Sequence, residues 1–303
     1  MRLVVVSKRL QANRAVCIER LEIVPLDAGV VIGSDFVNRP AIAEALREAF
    51  SRLPARGSLR TLRCAMALPS SATLTAQVPL KKLTRVSPFV ATGARDPRGL
   101  LEPAVLAEAE RMAGIERGAL SVDWSIDARD KGASIVSIAA TARQHVEARV
   151  ETAAAAGIVL SAIDGEPVAA LRALRYSASR EIDHEERYLA CWVESAGLHA
   201  WLVSEDEVEN ELRYPSPEYS SVADALLELA GGGRIDWIYM GGDIDLLERA
   251  GASTSMIATL FGCPVMPFEC APFCNSAQKS DDSLRYSPLF AVAMGLALRE
   301  VMP

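Results

Sequence analysis

A chain of 303 residues, half of them hydrophobic, can build its cores without disulfide or metal staples, and its length favours two domains over one. With 39 acidic against 32 basic residues, its net charge of -7 argues against nonspecific nucleic-acid binding, which needs clustered lysine and arginine to displace counterions. The apolar run Leu3-Val-Val-Val6 is too short for a signal peptide, and Leu289 to Leu298 falls below the about 20 residues of a membrane-spanning helix. These bounds predict a soluble, cytoplasmic chain that meets a membrane only through a partner.

The first 25 residues predict two strands around a polar turn at Gln11 to Arg14, with β-branched Val4, Val5 and Val6 in the first. Asn38-Arg-Pro40 predicts a helix start, since proline in a first turn has no useful amide to lose. Ile42, Leu46, Ala49 and Phe50 then recur at helical spacing. After a loop with Pro54 and Gly57, Thr61 to Leu68 alternates: Leu62, Cys64, Met66 and Leu68 share one face of a strand that Pro69 halts. A small α+β unit follows. It has a strand near Leu74 to Leu80, a helix from Pro103 to Met112 and strands near Leu120 to Ile126 and Ser134 to Ala140. A helix from about Arg143 to Ala156 is stopped by Gly157.

Ile158 to Ile163 predicts a strand, and Leu171 to Leu174 lies in a helix. The polar, aperiodic Tyr176 to Glu186 marks a domain boundary. Beyond it, Tyr188 to Val193, Leu198 to Val203 and Val208 to Tyr214 predict a meander whose acidic turn, Glu205-Asp-Glu207, reads as edge protection. A helix from Val222 to Leu229, a break at Gly231 to Gly233, a strand from Ile235 to Met240 and a helix near Ile244 to Ala250 continue the α/β alternation. A helical turn at Met256 to Phe261 and a loop from Cys270 to Asp282 precede a last helix, capped by Ser287-Pro288 and apolar nearly all round.

Several chemistries find no support. There is no P-loop, no Gly-x-Gly-x-x-Gly and no Gly-x-Ser-x-Gly elbow. Cys263, Cys270 and Cys274 lack a Cys-x2-Cys pair or a nearby histidine, so the six cysteines read as reduced, mostly buried packing residues. His145, His184 and His199 fall in a helix, a linker and a strand. Asp123 and Asp127 share a strand face about 13 Å apart, too far for a carboxylate dyad. Gly241-Gly242-Asp243 reads either as bare backbone for an adenosine or as a strand-to-helix turn with Asp243 as N-cap. Trp124, Trp192, Trp201 and Trp237 suit a peptide groove by type; burial is the plainer reading.

Taken in order, the segments resemble the PilM family of type IV pilus assembly proteins, including its shorter HofM-like members. Leu21 to Phe50 is similar to the family's strand, Pro-Leu turn and glycine-containing loop into a first helix. Cys64 to Ala72 resembles its strand ending in a Pro-Gly/Ser turn, and Val122-Asp-Trp124 its Asp-aromatic pair. Ala155-Ala-Gly157 with Ile163-Asp164, Tyr239-Met-Gly-Gly242 and Ala293 to Arg299 resemble the Ala-Gly-Leu and Ile-Asp turn, the adenosine motif and the closing helix. The resemblance spans residues 20–303 and implies an actin-like (ribonuclease H-like), mixed α/β fold of two domains. Domain 1 would cover 1–180 with a small α+β insertion at about 73–156, and a reduced domain 2 would cover 187–286. A closing helix, 287–303, would return to domain 1.

Nucleotide binders of this fold open with an Asp-x-Gly strand, and none precedes Asn38; the chain resembles one that starts at the following strand. Their second turn is about Asp-x-Gly-x-x-x-Thr, where this chain has Glu194-Ser-Ala-Gly-Leu-His-Ala200. The resemblance therefore implies a degenerate phosphate turn at Glu194, Ala196, Gly197 and Ala200, and a vestigial adenosine turn at Gly241, Gly242 and Asp243. Ala196 stands where glycine permits close approach to phosphate, and Ala200 lacks the hydroxyl. ATP with Mg2+ is expected to bind weakly or not at all, with no catalytic residue and no metal site. The function implied is a cytoplasmic adaptor at the inner membrane, binding the N-terminal tail of a PilN-type protein alongside other pilus assembly components. Two alternatives remain: an active actin-like ATPase or sugar-kinase relative lacking its first phosphate-binding strand, or the cytoplasmic domain of a type II secretion component.

Overall fold

The valines of the opening run form β1 (Arg2–Lys8), which pairs antiparallel with β2 (Val16–Ile23). This computed structural model describes residues 1–8, 16–53, 62–86, 97–128, 134–215, 221–274, 282–299 and 301. The turn at Gln11 to Arg14, the loop residues Pro54 and Gly57, Thr61, and residues 275–281 of the predicted loop lie outside them. A short hairpin of β3 (Val31–Ile32) and β4 (Asp35–Phe36) leads into α1 (Arg39–Ser51). The Asn38 side chain accepts from the Ala41 amide and Pro40 occupies the first turn, so this helix begins where its sequence says it must.

After β5 (Cys64–Leu68), halted by Pro69, the chain builds a separate antiparallel sheet. Its parts are β6 (Leu74–Pro79), α2 (Leu80–Val86), α3 (Pro97–Ala113), β7 (Leu120–Ala128) and β8 (Ser134–Ala142), with strand order β6-β8-β7. Leu101, Val105 and Ala109 of α3 pack on Val78, Val136 and Ile138. The predicted start of this helix is corrected: Pro97 takes the first position that the sequence reading gave to Pro103, which lies inside the helix. The α2 helix has no counterpart in that reading. α4 (Arg143–Ala155) ends at Gly157, at φ +79°, and its Ala153 joins Ala156 and Ile158 against Ile42, Leu46 and Phe50 of α1.

β9 (Leu160–Gly165) then pairs in parallel with β5. It runs into α5 (Glu166–Glu181), which extends into the stretch expected to be irregular. Tyr176, Ser177 and Ala178 are buried there; small residues on the packed face hide the helical period. The meander is as predicted: β10 (Tyr188–Glu194), β11 (Gly197–Ser204) and β12 (Glu207–Pro215). α6 (Val222–Ala230) ends on Gly231, at φ +62°. β13 (Trp237–Gly242), α7 (Asp245–Arg249), α8 (Thr254–Phe261) and β14 (Val265–Pro267) complete a sheet of order β12-β11-β10-β13-β14. β14, three residues long, is too short to leave a pattern in the sequence.

Ser287 and Pro288 do not cap the last helix, α9 (Ala291–Arg299). They lie in the 3-10 turn before it, four and three residues ahead of Ala291, where the buried Ser287 hydroxyl donates to the Leu284 carbonyl at 2.6 Å. β10 is buried on both faces. Leu189, Cys191 and Val193 pack with Leu226 of α6 and Ile257 of α8, while Ala190 and Trp192 pack toward α5 and α9. Trp192 and Trp201 are buried, and Trp124 and Trp237 half-buried. Five of the six cysteines are buried and Cys64 is half-buried.

α9 lies against α5, β1, β5 and β13. At its crossing with α5 a side chain on Gly295 would stand 1.7 Å from the Ala169 carbonyl oxygen. Arg172 donates to the Gly295 carbonyl and to Asp164, both at 2.8 Å, and Arg299 reaches the same carboxylate at 3.4 Å. Gly295→Ala should therefore destabilise the fold by about 1–3 kcal/mol through overpacking. In an open helix the same change gains about 1 kcal/mol, so the sign of the shift in urea midpoint tests the contact.

Candidate functional site

The strand pairs β1–β2 and β5–β9 meet the five-stranded sheet at one cleft. β5 and β9 end there, β1 begins there, and the β10–β11 hairpin and the end of β13 close the far side. Arg2, Glu166, Trp192, Glu194, Gly242 and Asp243 all line the cavity of about 780 Å³ that opens at this point.

Glu194 is the centre of the cleft. It is the last residue of β10, and strand alternation puts it on the face of Trp192, opposite Gly197 and beside His199 of β11. The Ser70 hydroxyl, in the short turn after Pro69, donates to its carboxylate, and His199 Nε2 lies 3.1 Å from the same oxygen. The side chains are only 14% and 11% exposed, so this is a sheltered bridge between β10–β11 and the turn after β5. The Trp192 and Trp201 rings flank the His199 ring, with centroids 5.5 and 6.0 Å away, and fix its orientation.

Glu166, the first residue of α5, faces the same cavity. Burial and the neighbouring Glu194 carboxylate push its carboxyl up to about 7, against the pull of Arg149 and Arg2. Arg149 is itself buried on α4. Its Nε donates to the Ala67 carbonyl at 2.8 Å and its Nη1 to the His145 carbonyl at 3.0 Å, and it stands 4.6 Å over the Phe36 ring. Burial brings its guanidinium down to about 10.

The residues singled out in sequence divide. Ser195 and Ala196 form the exposed tip of the β10–β11 hairpin. Gly197 has φ +149° and no room for a side chain, whose Cβ would lie 2.1 Å from the Tyr214 carbonyl oxygen. Gly242, at φ +89°, would put a Cβ 2.0 Å from the Val193 oxygen, and Gly241 one 3.0 Å from the Ala291 methyl. Asp243 is not the helix cap that was expected. Its amide donates to Val193, Ile244 precedes α7, and the carboxylate lies 3.8 Å from Arg249. Ala200 packs on the opposite face of β11, in the core with Leu189 and Leu202. Glu194, Gly242 and Asp243 are thus brought together and Ala200 is set apart.

Sequence reasoning missed Ser70 as a partner of Glu194, although its Pro-Ser-Ser turn stood out. It missed Glu166 and Arg149 altogether; neither carries a local signal. Asp123 accepts from the neighbouring Trp124 amide, and the side chain of Asp127 lies outside the described residues. His145 sits 3.5 Å from Asp35.

Both cleft glycines answer to neighbouring strands: a Cβ at Gly197 would meet the Tyr214 carbonyl oxygen and one at Gly242 the Val193 carbonyl oxygen. Ser70 and His199 share one oxygen, Oε1, of the Glu194 carboxylate. Among the described residues no group of His, Cys, Asp or Glu side chains is placed to hold a metal ion.

Residues 1–190, more than half of the chain, match the family model of type IV pilus assembly protein PilM. No curated protein sequence matches the chain. Among solved structures it is similar to a chain described as a PilM-PilN type IV pilus biogenesis complex, at 19% identity and a TM-score of 0.72, over 100% of this chain and 96% of that one. Fainter likenesses are to a Bacteroides thetaiotaomicron protein with an actin-like ATPase fold and unknown function (10% identity, TM-score 0.47, 90% and 92% covered) and to the cytoplasmic domain of EpsL of Vibrio cholerae, an inner membrane component of the type II secretion system (12%, 0.44, 80% and 82%). The mixed α/β, actin-like fold expected from the sequence is borne out.

The raised carboxyl of Glu166 has a consequence for stability. Its proton is held to about 7 in the folded chain against 4.5 in the unfolded one, so the folded state binds the extra proton. Stability should fall as pH rises through that window, by at most roughly 3 kcal/mol, and the loss is complete above it. Glu166→Gln removes the titration. Denaturant melts across pH 5 to 8 should show a flat profile for the variant and a falling one for the parent; parallel profiles would refute the assignment.

Proposed function

This chain belongs to the PilM family of type IV pilus assembly proteins, and we propose that it is a cytoplasmic adaptor that binds the N-terminal tail of a PilN-type inner-membrane protein, with nucleotide binding weak or lost. The observation that carries this reading is the use to which the cleft is put. Where a nucleotide would need free carboxylates and bare backbone, Glu194 is clasped by Ser70 and His199, and Val193 and Tyr214 fill the space beside the glycines. The cleft residues bind the protein to itself. The solved PilM-PilN complex, whose fold this chain shares, suggests the kind of partner.

In this reading residues 1–180, with an insertion at about 73–156, form one domain; 187–286 form the second, and 287–303 return to the first. The tail would lie extended in a groove or along a sheet edge between the first-domain core and the insertion, where backbone hydrogen bonds give affinity and side-chain pockets give specificity. Among the described residues no helix is long and apolar enough to cross a membrane, so the partner would supply the membrane contact, together with other pilus assembly components.

Calorimetric titration with the N-terminal peptide of the PilN-type protein from the same organism, without nucleotide, should give saturable binding at a Kd of about 1 μM, or roughly -8 kcal/mol. Binding that needs Mg-ATP would overturn the nucleotide-independent part of the proposal, and no binding in either condition would overturn the adaptor itself. Separately, millimolar Mg-ATP should move the melting temperature by less than about 1 °C, because stabilisation follows occupancy. A shift of several degrees would show that the clasped cleft still takes nucleotide.

A further inference from the structure

α6 and α8 cover the face of the five-stranded sheet that points away from α5 and α9. Each packs one side on that sheet: Leu226 and Leu229 of α6 are 0% and 5% exposed, and Ile257 of α8 is 0%. Beside them three large apolar side chains stay open. Leu227 of α6 and Met256 and Leu260 of α8 are 39%, 41% and 42% exposed.

The topology gathers these three. β10, β12, β13 and β14 run the same way, so α6, between β12 and β13, and α8, between β13 and β14, lie in crossover connections. Such crossovers are right-handed, and both helices therefore run back against the strands, parallel to each other. α6 lies over β11 and β12 and touches α8, which lies over β14. At about 100° per residue, Leu227, one step after Leu226, turns toward α8. Met256, one step before Ile257, and Leu260, three steps after it, turn toward α6. The three line an open groove between the two helices.

The surroundings are acidic. Residues 181–303 hold 21 of the 39 acidic residues of the chain and 7 of its 32 basic ones. Neither α6 nor α8 contains a lysine or arginine. Nearby arginines are drawn elsewhere, Arg187 to Glu209, Arg234 to Asp236 and Arg249 to Asp243. Asp224 and Glu228, about one turn apart on the solvent side of α6, are exposed and have no cationic partner among the described residues.

We propose that the groove between α6 and α8 is a docking site for an amphipathic helix of another protein. That helix sets apolar residues at i, i+3 and i+4 against Leu227, Met256 and Leu260, and carries lysine or arginine along its rim. The backbone groups of α6 and α8 are satisfied within the helices, so an extended segment finds no ladder to join, whereas a helix needs only the apolar seam. Charge selects the rim, since an acidic helix or an anionic membrane surface meets like charge here. A second copy of this chain offers no match by symmetry, because the same acidic groove would face itself. The groove points away from the cleft, so a helix seated in it leaves the cleft free.

The probes are two synthetic helices of about 18 residues with the same leucine face, one with lysine and one with glutamate on its polar side. The lysine helix should bind the 303-residue chain at least about ten-fold more tightly than the glutamate helix. It should slow hydrogen exchange in α6 and α8 and leave α5 and α9 unchanged. Leu227→Ser and Met256→Ser, at exposed positions that leave the melting temperature in place, should weaken it about five-fold or more. Val159→Ser, at an 81% exposed valine outside the groove, should not. Equal binding of the two helices, an equal effect of Val159→Ser, or protection elsewhere overturns the proposal. A photo-crosslinking residue at position 227 in the cells that make this chain then reads the natural occupant, with the joined peptide sequenced by mass spectrometry. A segment with helical apolar spacing and a basic rim is the expected product. No product, an acidic or extended segment, or a second copy of this chain overturns the proposal.

Discussion

The contact on which the rest of this molecule depends is the crossing of α5 and α9 at Gly295. With the Ala169 carbonyl where a side chain would be, α9 sits too close to α5 for any side chain at this position. From there it lies against β1 and β5 on one side and β13 on the other. The alanines of α5 (Ala169, Ala170 and Ala173) follow from the same requirement, since larger residues would push the helices apart. So does Gly241, whose Cβ would press on the Ala291 methyl. The polar side of the joint is equally specific. Asp164 receives Arg172 and Arg299, one from each helix, in a half-buried setting where both guanidinium groups keep solvent contact.

This architecture explains what could be read from the sequence. Strand alternation from Thr61 to Leu68 and the meander, the Asn38 cap and the Gly157 and Gly231 stops are local signals, and the corresponding elements are there. The end of α5 was lost because its buried face is alanine and serine, which carry little hydrophobic contrast. The start of α3 was misread because two prolines competed for one role. The cleft was legible only as a set of missing family features. Its actual partners, Ser70 to Glu194 and Arg149 to Ala67, are separated by 124 and 82 positions along the chain and exist only once the sheets have packed.

Glycines were the least reliable guide to function. Gly197 and Gly242 look like ligand-approach positions, yet the atoms that approach are Tyr214 O and Val193 O of neighbouring strands. The same bareness that lets a phosphate near a turn lets a second strand near it, and sequence does not distinguish the two. Glu194 shows the converse. Its carboxylate accepts from the Ser70 hydroxyl and lies 3.1 Å from His199, and its charge raises the affinity of Glu166 for a proton.

The cavity between β1 and β5 raises the question of what holds its walls apart. β1 is held from behind by β2 and from above by α9. Among the described residues β5 has only β9 as a strand neighbour, and three side chains add to that hold. Arg149 donates to the Ala67 carbonyl, Ser161 to the Cys64 carbonyl, and Ser70 ties the turn after β5 to Glu194. The Arg149 and Ser70 contacts are partly buried, so β5 cannot slide toward β1 without giving up hydrogen bonds worth about 0.5–1.5 kcal/mol each. The walls of the cavity are therefore held by contacts of the fold itself.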